Sequence, residues 1–302
     1  MGIGTTRQGD GMTDSTSSKE DVYRALSNEE LFNWPTVFRD GLFKGQVVLI
    51  SGAAGGIGRA CSILFGRLGA TIFGCGRDAG KLEALREDLA KLGIESSMRA
   101  MSVRDPEQVA ALMDEVWEGY GRMDVLINSA GGQFAAPAFD ITPKGWHAVV
   151  ETILYGSWYM MQAAGRHWRD RGHPGSVVNM ATVVDKAFVG IPHTVAARAG
   201  QINLGKSLSV EWAPYKIRIN SISIGVVASP GLVNYPLTAR PSFAHNPMRR
   251  VGDVMDVAEA AVYLSAPSAK FITGAVLTID GGDHVWGEYW ALGKPDYFKV
   301  PE

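Results

Sequence analysis

From residue 45 onward, short apolar, β-branched runs alternate with longer segments in which apolar side chains return every three to four positions. The short runs predict strands at 47–51, 70–75, 97–101, 123–127, 175–180, 217–223 and 275–279. The helical spacing predicts helices over 56–69, 79–92, 106–120, 143–170, 192–213 and 256–265. Strands alternating with helices build a parallel sheet covered on both faces. The expectation is therefore an α/β fold: one doubly wound domain with a seven-stranded parallel sheet flanked by helices. Right-handed crossovers put the topological switch point beside the first strand, so a ligand crevice opens at its C-terminal edge.

The pattern is weaker at both ends. Residues 1–18 are polar and rich in Gly, Ser and Thr, which predicts disorder, and Met1 and Met12 are both candidate starts. Residues 1–43 read as an N-terminal extension. Within it Ser27-Asn28-Glu29-Glu30 has the form of a helix start, and Leu31, Phe32, Trp34 and Phe38 are set to pack on the domain or on a neighbouring subunit. The main domain is assigned to 44–283, with a substrate lid around 226–250. The tail 284–302 carries Trp286, Tyr289, Trp290, Tyr297 and Phe298. So much aromatic surface is seldom left exposed, so a homo-oligomer (dimer or tetramer) is expected.

Composition narrows the function classes. The 302 residues are 46% apolar, enough for a full core. The net charge is −2 without a basic block, which gives no footprint for nucleic acid. No run reaches the roughly 18 apolar residues of a membrane span. The start lacks a signal-peptide core, and the final Val300-Pro301-Glu302 is not a peroxisomal tripeptide. Cys61 and Cys75 lack metal-ligand spacing and read as buried free thiols, which fits a cytoplasmic protein without a metal site.

The most specific motif is Ser51-Gly52-Ala53-Ala54-Gly55-Gly56-Ile57-Gly58, set between a predicted strand and a predicted helix. Glycines there permit a tight turn and close backbone approach to a pyrophosphate at a helix N-terminus. A dinucleotide is the expected ligand. NAD sites usually carry a carboxylate at the tip of the second strand. Here that tip is Gly74-Cys75-Gly76-Arg77. Arg77 can grip a ribose 2′-phosphate through a charge-assisted fork, so NADP is favoured over NAD.

The glycine turn has the spacing of the short-chain dehydrogenase/reductase family, and further segments follow in that family's order. Asn128-Ser129-Ala130-Gly131 resembles its Asn-x-Ala-Gly signature. Val177–Thr182 resembles its fifth strand and Arg218–Gly225 its sixth. Phe271-Ile272-Thr273-Gly274 and Asp280-Gly281-Gly282 resemble its C-terminal segment. The resemblance covers residues 45–283. Gly131–Phe134, Pro143–Val149, Ala196–Gly200, Lys206–Leu208 and Glu211-Trp212 resemble the trans-2-enoyl-CoA and 2,4-dienoyl-CoA reductase branch, the peroxisomal enoyl-CoA reductases in particular. The resemblance implies cofactor contacts from Ser51, Gly52, Gly56, Ile57, Gly58 and Arg77. It adds Ser102 and Val103 at the adenine, then Asn128, Ala130, Gly131, Arg198 and Gly225, with Val227 and Ser229 at the nicotinamide carboxamide. Ser102 stands where the family usually has Asp.

The reaction centre departs from the family. Its Asn, Ser, Tyr and Lys correspond to Ile153, Thr182, Thr194 (or His193, one position earlier) and Arg198. Thr182, His193, Thr194 and Arg198 are thus the candidate catalytic residues. A Thr hydroxyl cannot be tuned as a Tyr beside a Lys can, and Arg is a poor proton relay. Ketone reduction needs a positioned acid for the nascent alkoxide. Conjugate reduction of an enoyl thioester collects charge on an enolate oxygen, which preorganised donors can stabilise. An NADPH-dependent enoyl thioester reductase acting on acyl-CoA is therefore favoured. The alternatives are an alcohol or ketone oxidoreductase for a bulky terpenoid or steroid, and a catalytically impaired subunit of a hetero-oligomeric reductase. Asp185 and Lys186 are candidates at the substrate mouth. Arg240, Arg249 and Arg250 are candidates for a CoA phosphate, and Tyr155 is expected to pack.

Overall fold

A computed structural model describes residues 23–235, 239, 243, 245–287, 291 and 293–295. The expectations for 1–18, for Arg240 and for Tyr289, Trp290, Tyr297 and Phe298 lie outside the described residues.

The chain alternates as its periodicity predicts. The main strands are β1 (Val47–Ser51), β2 (Thr71–Gly76), β3 (Ser96–Ala100), β4 (Val125–Asn128), β5 (Gly175–Thr182) and β6 (Ile217–Ile224), with β9 (Val276–Ile279) last. They form one sheet in the order β3-β2-β1-β4-β5-β6-β9, every pair parallel. A two-residue pair that the sequence pattern misses, β7 (Val227–Ala228) with β8 (Gly252–Asp253), fastens the segment between them to the domain. Two residues are too short to register as a periodicity.

Helices α2 (Gly56–Arg67), α3 (Ala79–Lys91) and α8 (Val254–Ser265) pack on one face of the sheet. Helices α4 (Pro106–Tyr120), α6 (Gly156–Arg171) and α7 (Pro192–Glu211) cover the other. All five residues of β1 are buried, so strand and helices share two apolar layers. Most helix starts are closed by side chains. Asp78 caps α3, Asp105 caps α4, and Asp253 with Asp256 forms a capping box on α8. Only Gly55, without a side-chain cap, precedes α2.

The long helix expected over 143–170 is one continuous run with a wide turn inside it. Helix α5 (Pro143–Val150) passes through a π-helical turn at Glu151–Tyr155 into α6. Such turns are rare and frequent at functional sites. The extra residue shifts the helix face that follows, and Tyr155, expected to pack, is 48% exposed.

The short helix α1 (Asn28–Phe32) starts where Ser27 and Glu30 form a capping box. Arg67 of α2 donates to the carbonyls of Leu31 (3.3 Å) and Trp34 (2.9 Å), and Arg59 reaches Asn28 Oδ1 (2.6 Å) and Asp88 Oδ2 (2.7 Å). The described part of the N-terminal extension therefore packs on its own domain.

Cys61 and Cys75 are free and buried, and burial pushes both thiols up to about 12. A raised thiol pKa means almost no thiolate at pH 8. Native protein is expected to leave a thiol reagent such as DTNB unreacted over an hour, with two thiols titrating once guanidinium unfolds it. Rapid reaction of either thiol in the native state would contradict this packing.

Candidate functional site

The sheet order reverses between β1 and β4. The register there sets Cys75, Ser51, Asn128 and Asn179 side by side at the carboxyl ends of their strands. Asn128 Nδ2 donates to Asn179 Oδ1 at 2.9 Å, and the Ala130 N–H donates to Ser51 Oγ at 3.2 Å. Ser51 and Asn128 are thus buried braces of the strand ends rather than parts of the cavity wall.

Above these ends opens a cleft of ≈ 1610 Å³. Its floor is the glycine turn. Gly52 holds φ +69°, and a Cβ there would lie 2.8 Å from the Ser129 carbonyl oxygen. A Cβ on Gly58 would lie 2.2 Å from the Gly52 carbonyl oxygen, and one on Gly56 would lie 2.8 Å from Ser229 Cβ. The three glycines let the turn, the start of α2 and the loop after β7 close on one another. The uncapped first turn of α2 then offers its N–H groups to the cleft. That is a cradle for a pyrophosphate, and the residues fit a dinucleotide.

The remaining predicted residues sort themselves by position. Gly52, Gly56, Ile57, Gly58, Arg77, Ser102 and Val103 line the cleft, as do Ala130, Gly131, Thr182, Arg198, Gly225, Val227 and Ser229. His193 and Thr194 do not line it. Both are buried at the start of α7, His193 edge-on to Phe134 with ring centroids 4.6 Å apart. The Thr194 N–H donates to His193 Nδ1 at 2.9 Å, which leaves the proton on Nε2. His193 Nε2 and Thr194 Oγ1 are buried without a hydrogen-bond partner.

Arg198 is the central cation. Its guanidinium donates to the Met180 carbonyl and to Gln201 Oε1 (3.0 Å), and Gln201 is itself held by Ser157 Oγ (2.6 Å). A Cβ on Gly131 would lie 2.6 Å from Arg198 Nη2, so a side chain there would displace the guanidinium. Desolvation lowers the Arg198 pKa to about 10, which leaves it charged at neutral pH. The Thr182 hydroxyl donates to the Ile224 carbonyl at 3.0 Å, so its oxygen faces the cleft as an acceptor. Ile153 is 1% exposed and packs with Val149 and Ala197.

Residues to which the motifs assign no role complete the wall. Gln133, Tyr235, Arg104 and Thr152 all line the cleft. Gln133 donates to the Tyr235 hydroxyl, and Arg104 Nε donates to Thr152 Oγ1 at 2.7 Å. Gln133 stands two residues after the Asn128–Gly131 signature, a position that hints at its role, whereas Tyr235 sits in a segment with no periodic pattern. At the mouth, Lys186 pairs with Asp283 at 2.7 Å. Arg250 is engaged by Asp256 at 2.9 Å, which ties its charge to the α8 cap. Among the described residues no group of three His, Cys, Asp or Glu side chains could hold a metal, and no helix is long and apolar enough to cross a membrane.

A family model described as "Enoyl-(Acyl carrier protein) reductase" matches residues 52–284, which span the whole cleft. The chain belongs to the short-chain dehydrogenase/reductase family. It is 33% identical over 243 residues to a Bacillus subtilis protein named "Probable 2,4-dienoyl-CoA reductase [(2E)-enoyl-CoA-producing]", covering 78% of this chain and 96% of that one. It is 31% identical over 243 residues to a 3-oxoacyl-[acyl-carrier-protein] reductase of Thermotoga maritima, covering 79% and 98%. Among solved structures it is similar to a citronellol catabolism dehydrogenase of Pseudomonas aeruginosa PAO1, with a TM-score of 0.74, 31% identity and coverage of 82% and 99%. The short-chain dehydrogenase/reductase fold, an NAD(P)-dependent cofactor class and an oxidoreductase chemistry follow. The relatives named as a 2,4-dienoyl-CoA reductase, a 3-oxoacyl-[acyl-carrier-protein] reductase and a citronellol catabolism dehydrogenase lie at nearly equal identity, so the choice among such activities rests on the residues of the site.

Proposed function

We propose that this short-chain oxidoreductase uses NADPH to reduce the C=C bond of an enoyl thioester, an acyl-CoA. One assignment carries the reading: by resemblance, Thr194 (or His193, one position earlier) and Arg198 stand at the positions of the family's proton-donating Tyr and its Lys. A carbonyl reductase needs that phenol to protonate an alkoxide, and a Thr beside a fixed guanidinium is a poor substitute. An enoyl thioester places its charge on an enolate oxygen, for which a fixed positive field suffices. The reduced nicotinamide, when bound, would supply a hydride. Arg198 supplies the field at the cleft wall. The cleft of ≈ 1610 Å³ exceeds the roughly 300–1,000 Å³ of a single small-molecule site, which supports a dinucleotide and a large thioester together. Two buried thiols fit a cytoplasmic location. The fully exposed Phe271 and the position of β9 at an edge of the sheet fit self-association.

The reading is tested with a panel of trans-2-enoyl-CoA and 2,4-dienoyl-CoA substrates against ketones and 3-oxo thioesters. NADPH oxidation is expected with the first group and little with the second. Turnover of ketones alone would overturn it.

Arg77 is exposed at the cleft with no carboxylate partner among the described residues, and it is the group proposed to select NADPH. A charge-assisted hydrogen bond is worth roughly 1.5–3 kcal/mol, so Arg77→Ala is expected to raise KM for NADPH about 10- to 100-fold. KM for NADH should barely move. Equal effects on both cofactors would remove the 2′-phosphate assignment.

A further inference from the structure

The proposed reduction leaves one step unassigned: a proton must reach the α-carbon as the enolate collapses. The groups already placed do not deliver it. The Thr182 proton is engaged by the Ile224 carbonyl, and Arg198 is a held cation. His193 and Thr194 lie outside the cleft wall. The Asp280 carboxylate accepts from the backbone N–H groups of Gly282 (2.9 Å) and His284 (2.7 Å) and sits 2.7 Å from His284 Nδ1, while Asp283 is paired with Lys186. His245 lines the cleft beside Trp286, with ring centroids 6.3 Å apart.

Tyr235 is placed differently. Its phenol lines the cleft, and its ring is fixed edge-on against Phe243 at 5.4 Å and 85°. The Gln133 amide N–H donates to the phenol oxygen. The oxygen thus accepts from the protein, while its own proton has no acceptor among the described residues and remains available to the cleft. The same amide would stabilise the phenolate left behind. Gln133 stands two residues after Gly131, against which the Arg198 guanidinium is packed. One short loop therefore ties the phenol to the cation that holds the enolate.

Resting on the enoyl thioester reading, we propose that Tyr235 is the proton donor to the substrate α-carbon, with Gln133 as its positioning residue. The balance is simple. The hydride adds to the β-carbon, the C=C electron pair moves to form the enolate, and the enolate carbon takes the Tyr235 proton. The phenolate then regains a proton from solvent.

The test is Tyr235→Phe, which keeps the ring and removes the hydroxyl, assayed with a trans-2-enoyl-CoA in D₂O. The wild type is expected to place deuterium on one face of the α-carbon. The variant should lose about 10²- to 10³-fold in kcat, the usual worth of a general acid, and scatter deuterium over both faces because water now supplies it. NADPH affinity by fluorescence and the thermal midpoint should stay at wild-type values, which separates lost chemistry from lost folding. Gln133→Leu should slow turnover about tenfold while deuteration stays on one face. A Tyr235→Phe enzyme within threefold of wild-type kcat and still deuterating one face would overturn the proposal. A wild type inert toward every enoyl thioester would overturn the reading beneath it, and the donor role with it.

Discussion

Gly58→Ala is expected to abolish cofactor binding. The added Cβ would lie 2.2 Å from the Gly52 carbonyl oxygen and 3.1 Å from Ala53 Cα, both backbone atoms that no side-chain rotation can move aside. Relief requires the turn and the first turn of α2 to separate, and those N–H groups are the proposed pyrophosphate cradle. Overpacking of this kind costs roughly 1–3 kcal/mol, so a fall in Tm of about 5 °C accompanies the loss of affinity. NADPH affinity, read by fluorescence titration, is expected to drop at least about 100-fold, as if the anion site were removed. Gly119→Ala is the matched control. It lies in α4, a Cβ there meets nothing within 4 Å, and a helix interior favours Ala by about 1 kcal/mol. That variant should bind normally with an unchanged or raised Tm.

Arg198→Met is expected to cost the most in turnover. Met keeps the apolar stem and removes the guanidinium. Three things go with it: the bond to the Met180 carbonyl, the bond to Gln201 Oε1 and the cation packed against Gly131. Fixed charge aimed at a developing oxyanion is typically worth roughly 10²- to 10³-fold in kcat, and a loss of that size is predicted here. Arg198→Lys should recover part of it, because the ammonium restores the charge without the fork that spans two acceptors. A near-normal kcat for Arg198→Met would mean that the enolate charge is met elsewhere. Arg198 keeps its charge until pH rises through about 10, so the wild-type rate should be flat across neutral pH and fall above that value.

Much of the fold was legible because each element carries its own periodicity. The all-buried β1, the Asp105–Pro106 start of α4 and the closing Gly121 with φ 67° are local signals that tertiary packing only confirms. The π turn at Glu151–Tyr155 left no such trace, since one inserted residue in an unbroken apolar helix does not change its composition. The cofactor half of the site was equally legible, because glycines that must touch backbone leave a spaced motif. The substrate half was not. Gln133 and Tyr235 are 102 positions apart and meet only because the loop after β4 and the segment after β7 face each other across the cleft. Neither His193 nor Thr194 announces in sequence that its polar atom will be buried without a partner. Arg250 looked like a phosphate ligand and is spent on Asp256, a pairing six residues away that charge counting cannot foresee.

Isotope placement reads directly which bond the enzyme reduces. Wild-type protein is given NADPH deuterated at nicotinamide C4 with a trans-2-enoyl-CoA, and the product is located by NMR and mass spectrometry. The prediction is deuterium on the β-carbon of a saturated acyl chain with the thioester carbonyl intact. Deuterium on a carbinol carbon in parallel assays with ketones or 3-oxo thioesters, with the enoyl thioester returned unlabelled, would contradict it.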